Sequence, residues 1–351
     1  MSKTKVNYII GIGRSGTSLL MSLLGSHPNI HTPPENYFSV FFSKAFSTKN
    51  TFSPKEIDLI NRFNLAFGQL QPYVGFEYQL PESFLKEGFQ GTYLALCKII
   101  YSSFKHIPFP EKNPSIIIDK NPSNTLFLNW LNRINPKAKY ILMVRDYRGN
   151  LLSRKESIHL LSPNIAFNAI RWNYFNRKAL KWKRRYPNQV CILRYEDLVE
   201  TPDECLNKIF SFLEVEPIFS EELRLKERLG YEKYKDDPDI EKSKRARKKY
   251  EDLSKPIFKH RVDKWKENLS SSEISIADVF CDGIGNEFNY LAEEKKGWLK
   301  RIIIRMRFGV LTLKIRMVFF KDYLFHYLPI EFKVRRFENY VNFINKKRVS
   351  K

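Results

Sequence analysis

The chain has 351 residues, 43% hydrophobic and 28% charged, enough to bury a large core as one α/β domain with additions. Its four cysteines, Cys97, Cys191, Cys205 and Cys281, are too scattered for a zinc site or a disulfide framework, and Cys191, set in an apolar run, reads as core. The formal charge of +22 calls for acidic partners: nucleic acid, an acidic glycan, a phosphorylated cofactor or an anionic membrane surface.

Met1 to Lys5 is short and polar and runs straight into an apolar stretch, so no signal peptide or N-terminal anchor is expected. Val6–Ile12 is short, β-branched and ended by glycine, which predicts a buried strand. Leu19, Leu20, Leu23 and Leu24 then recur at helical spacing up to Gly25, a C-terminal stop. Between them lies Gly11-Ile12-Gly13-Arg14-Ser15-Gly16-Thr17-Ser18. A strand, a glycine-bearing turn and a helix aim backbone N–H groups and a helix dipole at one point, which suits an anion. A Walker A loop would need Gly-x-x-x-x-Gly-Lys-Ser/Thr. Gly11 and Gly16 keep that spacing, but Thr17 stands at the lysine position and the charge has moved to Arg14. The same glycines also suit a plain tight turn.

His27-Pro28-Asn29-Ile30-His31-Thr32-Pro33-Pro34-Glu35 follows, with Glu35 twenty-one residues beyond Arg14. His27 and His31 read as structural; Glu35 is either a site carboxylate or a cap for a helix beginning at Tyr37. Tyr37–Pro114 is rich in Phe, Tyr, Pro and Leu, and Phe38, Phe41, Phe42 and Phe46 recur at helical spacing, so a helical layer on the sheet is predicted. Tyr73–Tyr78 is the expected open aromatic loop within it.

Ser115–Asp119 is a second apolar strand, followed by Lys120-Asn121-Pro122. Lys139–Val144 is a third, ending in Arg145-Asp146, with Arg148 next and Ser153 eight residues after Arg145. Arg145-Asp146 reads as an anion grip or as a local ion pair. Gln189–Leu193 is a fourth strand, running into Arg194-Tyr195-Glu196-Asp197-Leu198, with a helix from about Thr201-Pro202-Asp203. Gly230–Asp239 is polar and suits a flexible lid, and Lys242–Lys249 is a basic run best read as solvated. Lys255-Pro256-Ile257 stands ten residues before Trp265. From Lys295 to Lys351 sixteen Lys/Arg face three Asp/Glu, a net +13 interleaved with Ile, Phe and Tyr. Charges interrupt every window long enough to span a bilayer. Leu311, Leu313, Ile315 and Met317 alternate with polar residues as a strand would. This tail reads as an interfacial membrane or partner-binding element, or as packing onto the main domain.

Arg14-Ser15-Gly16-Thr17-Ser18-Leu19 resembles the 5′-phosphosulfate loop of sulfotransferases, which use 3′-phosphoadenosine-5′-phosphosulfate (PAPS). The strand ending in Arg145 with Ser153 on the next helix is similar to their 3′-phosphate motif. Lys120-Asn121-Pro122, Arg194–Leu198 and Lys255–Trp265 fall in family order, so the resemblance spans about residues 6–270. It is nearest to tyrosylprotein-sulfotransferase-like and bacterial members. It implies a P-loop-type α/β fold of three layers, with a central parallel sheet and helices on both faces. Residues 1–290 would be catalytic, with a helical acceptor-site insertion at about 36–114, and 291–351 a basic, aromatic extension.

The resemblance also implies sulfuryl transfer from PAPS to an acceptor hydroxyl of a glycan, lipid, small molecule or protein tyrosine, without metal and with 3′,5′-ADP as product. Arg14, Lys120 and Glu35 would be catalytic, with Glu35 as general base by likeness to the tyrosylprotein enzymes. Arg14, Ser15, Gly16, Thr17, Ser18, Arg145, Ser153, Tyr195 and Lys255 would hold the cofactor. Val262-Asp263-Lys264-Trp265-Lys266 departs from the family's Gly-Asp-Trp-Lys in lacking glycine, and no second 3′-phosphate arginine is assigned. The expected location is cytoplasmic, at most peripheral on a membrane through the tail, which would meet an anionic membrane surface or an acidic polymer; no specific nucleic acid is expected. The alternatives are a P-loop phosphotransferase or kinase, and a non-catalytic basic protein that binds nucleic acid or membrane.

Overall fold

The computed structural model describes residues 4–70, 76–106, 114–157, 164–232, 261–293 and 297–349. Strand β1 (Lys5–Gly11) leads into α1 (Thr17–Gly25) and then into β2 (Ile30–His31), a two-residue strand that His31 ends. The predicted aromatic layer follows as α2 (Phe38–Phe46), β3 (Thr51–Phe52), α3 (Pro54–Leu70), β4 (Phe76–Tyr78), α4 (Glu82–Glu87), β5 (Phe89–Gln90), α5 (Tyr93–Ser103) and β6 (Phe104–His106). Phe76–Tyr78 is therefore not an open loop: it pairs antiparallel with Phe104–His106. Residues 71–75 lie outside the described residues.

The chain then returns to the sheet with β7 (Ile116–Lys120), α6 (Leu128–Ile134), β8 (Tyr140–Val144), α7 (Tyr147–Lys155), α8 (Ile165–Arg185) and β9 (Val190–Arg194). After β9 come α9 (Tyr195–Glu200), α10 (Pro202–Leu213), α11 (Ser220–Glu232), α12 (Trp265–Asn268) and α13 (Ser271–Gly285). Three last helices follow: α14 (Trp298–Arg307), α15 (Gly309–Phe325) and α16 (Ile330–Val349). Leu311–Met317 thus lies in a helix, and its strand-like alternation is overruled.

The five-stranded sheet runs β2-β7-β1-β8-β9, all parallel. Its strands are apolar throughout because both faces are covered. Val6, Tyr8 and Ile10 of β1 face a core shared with α2, α5 and α8. Ile9, with Ile118, Ile141 and Leu193, faces α1 and α10 through Leu20, Leu24, Leu206 and Phe210. All four cysteines are buried and free.

The carboxyl ends of β1, β7, β8 and β9 carry, in order, the glycine-bearing loop, Lys120, Arg145 and Tyr195. Ligands of open α/β sheets bind at that edge. The C-terminal helices wrap the aromatic layer. Val334 and Val341 of α16 are buried, Arg62 of α3 pairs with Glu338, and Phe319 of α15 stacks on Tyr174 of α8 with ring centres 4.7 Å apart.

Candidate active site

Two backbone positions set the loop. Gly16 has φ +90°, and a Cβ there would lie 2.5 Å from the Tyr195 ring. Arg14 also takes a positive φ, 73°, a sparsely populated conformation for a residue with a side chain. Gly16 caps α1 without a side chain, so no side-chain oxygen occupies the first N–H groups of the helix. Thr125 clamps the loop's entry: its hydroxyl accepts from Gly11 N (2.8 Å) and donates to Gly11 O (2.9 Å). Asn150 and Arg154, both on α7, donate to Gly13 O at 3.1 and 2.7 Å. Asn150 also donates to the buried Ser15 hydroxyl, which turns that side chain into the loop's own support.

Cations gather above this loop. Arg14 donates through Nε to Ser153 Oγ at 3.0 Å, so the predicted 5′ and 3′ subsites touch. Burial lowers the pKa of Arg14, and the neighbouring Arg145 and Arg261 lower it further. Arg145 lies 4.4 Å over the Tyr195 ring and donates through Nη2 to Arg261 O at 2.7 Å. Among the described residues its buried Nε meets no hydrogen-bond partner. Burial pushes the Arg154 guanidinium down to about 9, helped by Arg171 and Arg14. Arg145 is not in a local ion pair with Asp146: that carboxylate is held bidentately by Arg148, at 2.9 and 2.7 Å. Arg148 in turn lies 4.2 Å over the Trp265 ring and fixes the start of α12. Lys255, expected to hold cofactor, lies outside the described residues, as do Lys242–Lys249 and most of Gly230–Asp239.

On the other side of the loop, Lys120 Nζ is ion-paired with Glu35 and lies 3.4 Å from Ser18 Oγ at the start of α1. The Lys120 side chain is 2% exposed and that of Glu35 24%, so the pair opens to solvent on the Glu35 side. Glu35 does not cap the next helix; the first N–H of that helix, that of Phe38, donates to Asn36 Oδ1 at 2.8 Å. Asp119 is wholly buried, accepts from Tyr101 (2.8 Å) and Asn124 (3.0 Å), and is pushed up to about 7 by burial. His27 and His31 stay out of the site: both are buried, and their Nε2 atoms meet the carbonyls of Glu216 and Tyr101.

The structure thus brings together Arg14, Ser15, Gly16, Thr17, Ser18, Arg145, Ser153 and Tyr195 around one loop, with Lys120 and Glu35 beside it. Tyr195 enters as a wall: its ring backs Gly16 and stacks under Arg145. Sequence reasoning missed Thr125, Asn150, Arg154 and Arg261. Asn150 and Arg154 had one signal, their i, i+4 spacing on the helix that carries Ser153.

A family model described as the sulfotransferase family matches residues 8–221, from the first strand through the start of α11. This chain belongs to the sulfotransferase family. A candidate protein-tyrosine sulfotransferase of Caenorhabditis briggsae is 24% identical over 216 residues, 60% of this chain and 65% of that protein. One of Caenorhabditis elegans is 31% identical over 121 residues, 33% of this chain and 46% of that protein. The chain therefore spans less than two thirds of the length of each of these relatives. Among solved structures, the sulfotransferase domain from the curacin biosynthetic pathway superposes with TM-score 0.52 at 18% identity, covering 82% of this chain and 98% of that domain. That likeness is one of fold.

Proposed function

We propose that this sulfotransferase moves a sulfuryl group from PAPS to an acceptor hydroxyl, with residues 1–290 carrying the reaction. The observation that carries the reading is the arginine cluster over an uncapped helix start. Among the described residues Arg14, Arg145 and Arg154 are met by a serine hydroxyl, an amide oxygen and backbone carbonyls, and the buried Arg145 Nε meets no partner. Partly desolvated guanidiniums that hydrogen-bond to no carboxylate among the described residues fit an oligoanionic ligand and do not fit a purely structural role. The absence of lysine at position 17 weighs against the phosphotransferase reading.

When bound, PAPS supplies a sulfuryl group on a phosphate leaving group. The N–H groups of Gly16, Thr17 and Ser18, with Arg14, would hold the 5′ end and offset charge that develops on the bridging oxygen. Arg145 and Ser153 would grip the 3′-phosphate. Glu35 would take the proton of the acceptor hydroxyl, and Lys120, held beside it, would place its ammonium on the transferring group. Both need one acceptor oxygen to reach the mouth of the Lys120–Glu35 pair. The acceptor class stays open among hydroxyls of glycan, lipid, small molecule and protein tyrosine.

The test is calorimetric titration with 3′,5′-ADP, 5′-AMP and ATP, followed by transfer of labelled sulfate from PAPS. A 3′-phosphate subsite makes 3′,5′-ADP bind about tenfold or more tighter than 5′-AMP. Equal affinities, or tight magnesium-dependent ATP binding, would overturn the reading.

A further inference from the structure

We infer that α14 and α15 form a surface that docks in the plane of an anionic phospholipid bilayer. An amphipathic helix of a soluble protein turns its apolar side to the core. Helix α14 does the reverse. Its inward side is basic: Arg301 grips Asp282 of α13 with two bonds of 2.6 and 3.0 Å, and Arg305 donates to Val279 O. Its outward side carries Trp298, Leu299, Ile302, Ile303 and Met306, all exposed, and no residue of the helix is buried.

Helix α15 also has an exposed apolar side, by another route. Ile315 is buried and Phe319 packs on α8, which defines its inward side. A second apolar stripe, Val310, Leu313, Met317, Phe320 and Leu324, runs at alternating spacings of three and four along the opposite side. Its members are between 47% (Leu324) and 69% (Val310) exposed. Large contiguous apolar patches mark docking sites.

Charge decides the occupant. From Trp298 to Lys321 there are seven Lys/Arg and no Asp/Glu. Lys300, Arg307, Lys314, Arg316 and Lys321 are exposed around the apolar stripe. A second copy seated on this surface would set basic residues against basic residues with no carboxylate from either segment to pair them. Anionic headgroups supply the complement, and long basic side chains reach them while the stripe enters the acyl boundary. No described helix is long and apolar enough to cross a membrane, so the element lies on the surface. The inference is independent of the acceptor and of the transfer chemistry.

The experiment is co-sedimentation of the full-length chain with vesicles of phosphatidylcholine plus phosphatidylglycerol, against phosphatidylcholine alone, at low and high salt. Two double variants join it: L313E/F320E and K314E/K321E. These positions are exposed, so 3′,5′-ADP affinity and circular dichroism should stay as in the parent. The expected result is binding to anionic vesicles that salt weakens without abolishing, and that each double variant loses by about tenfold or more. The inference is overturned if the parent stays in the supernatant at low salt, binds phosphatidylcholine alone equally, or is matched by both variants. It is equally overturned if sedimentation velocity shows a dimer that the stripe variant dissolves, because the occupant is then a second copy.

Discussion

At the carboxyl edge of the sheet Arg145, Arg148 and Arg154 are 9%, 6% and 4% exposed, whereas along α14 and α15 Lys300, Arg307, Lys314, Arg316 and Lys321 stand in solvent. The two regions carry the same kind of charge under opposite conditions. A guanidinium taken from water loses hydration, and of these three only Arg148 recovers it with a carboxylate among the described residues, that of Asp146. Arg145 and Arg154 lean on carbonyls, an amide and an aromatic face instead. Holding them there costs stability that an anionic ligand, as proposed, would return. The exposed cations cost almost nothing alone and act as a screened field. Substitutions at the sheet edge should therefore change chemistry and ligand affinity steeply, and substitutions on the outward sides of α14 and α15 should leave both alone.

The largest effect is expected at the Lys120–Glu35 pair. Glu35→Gln should lower turnover about a hundredfold or more with 3′,5′-ADP affinity unchanged. Lys120→Met should lose turnover too and, by stranding the Glu35 carboxylate, cost about 3 kcal/mol in denaturant unfolding. A Glu35→Gln enzyme with near-parental turnover removes that residue from the chemistry. Next is Arg145→Ala, which should weaken 3′,5′-ADP about tenfold or more and leave 5′-AMP unaffected; equal losses for both nucleotides would make Arg145 a support of the loop instead.

A pH effect follows from Asp119, raised to about 7 by burial. Its folded pKa lies above the usual carboxylate value, so its protonated form contributes stability in full below about pH 4, lost as pH rises through about 7. Asp119→Asn keeps an oxygen for Tyr101 and Asn124 and never ionises. Its melting temperature should exceed the parent's at pH 8, with the gap closing toward pH 5; a constant gap would show that Asp119 does not titrate in the fold. The smallest effect belongs to the other region. Arg301→Gln removes a partly buried bidentate pair with Asp282 and should cost about 1 kcal/mol, with nucleotide affinity unchanged.

The strand, loop and first helix were legible because each is local: a β-branched run, glycines, and leucines at helical spacing. Arg145 and Ser153 were singled out by their resemblance to a family motif, a strand end and the helix after it. The salt bridge between Lys120 and Glu35 was not, since 85 residues separate them and a whole helical layer must fold before they meet. The loop's clamp, Thr125 on Gly11, spans 114 residues for the same reason. Helix α15 misled for another cause. It is apolar on two sides, inward through Leu311, Ile315 and Phe319 and outward through the Val310–Leu324 stripe. The two sets cancel the helical period and leave an alternation that imitates a strand.

The corner that carries Glu35 is finished by the far end of the chain. Tyr37, two residues on, has its hydroxyl 3.1 Å from His326 Nε2, and the buried Lys333 reaches back to the carbonyl of Phe41 at 2.8 Å. These contacts join residues 289 and 292 positions apart. Ribosomes add about 5–20 residues each second, so the sheet and its phosphate loop have many seconds to form before residue 333 emerges. On the function proposed above, a nascent chain would own its nucleotide-binding edge while the corner that carries Glu35 is still open. Competence to bind and competence to turn over would be acquired at different moments of the protein's synthesis.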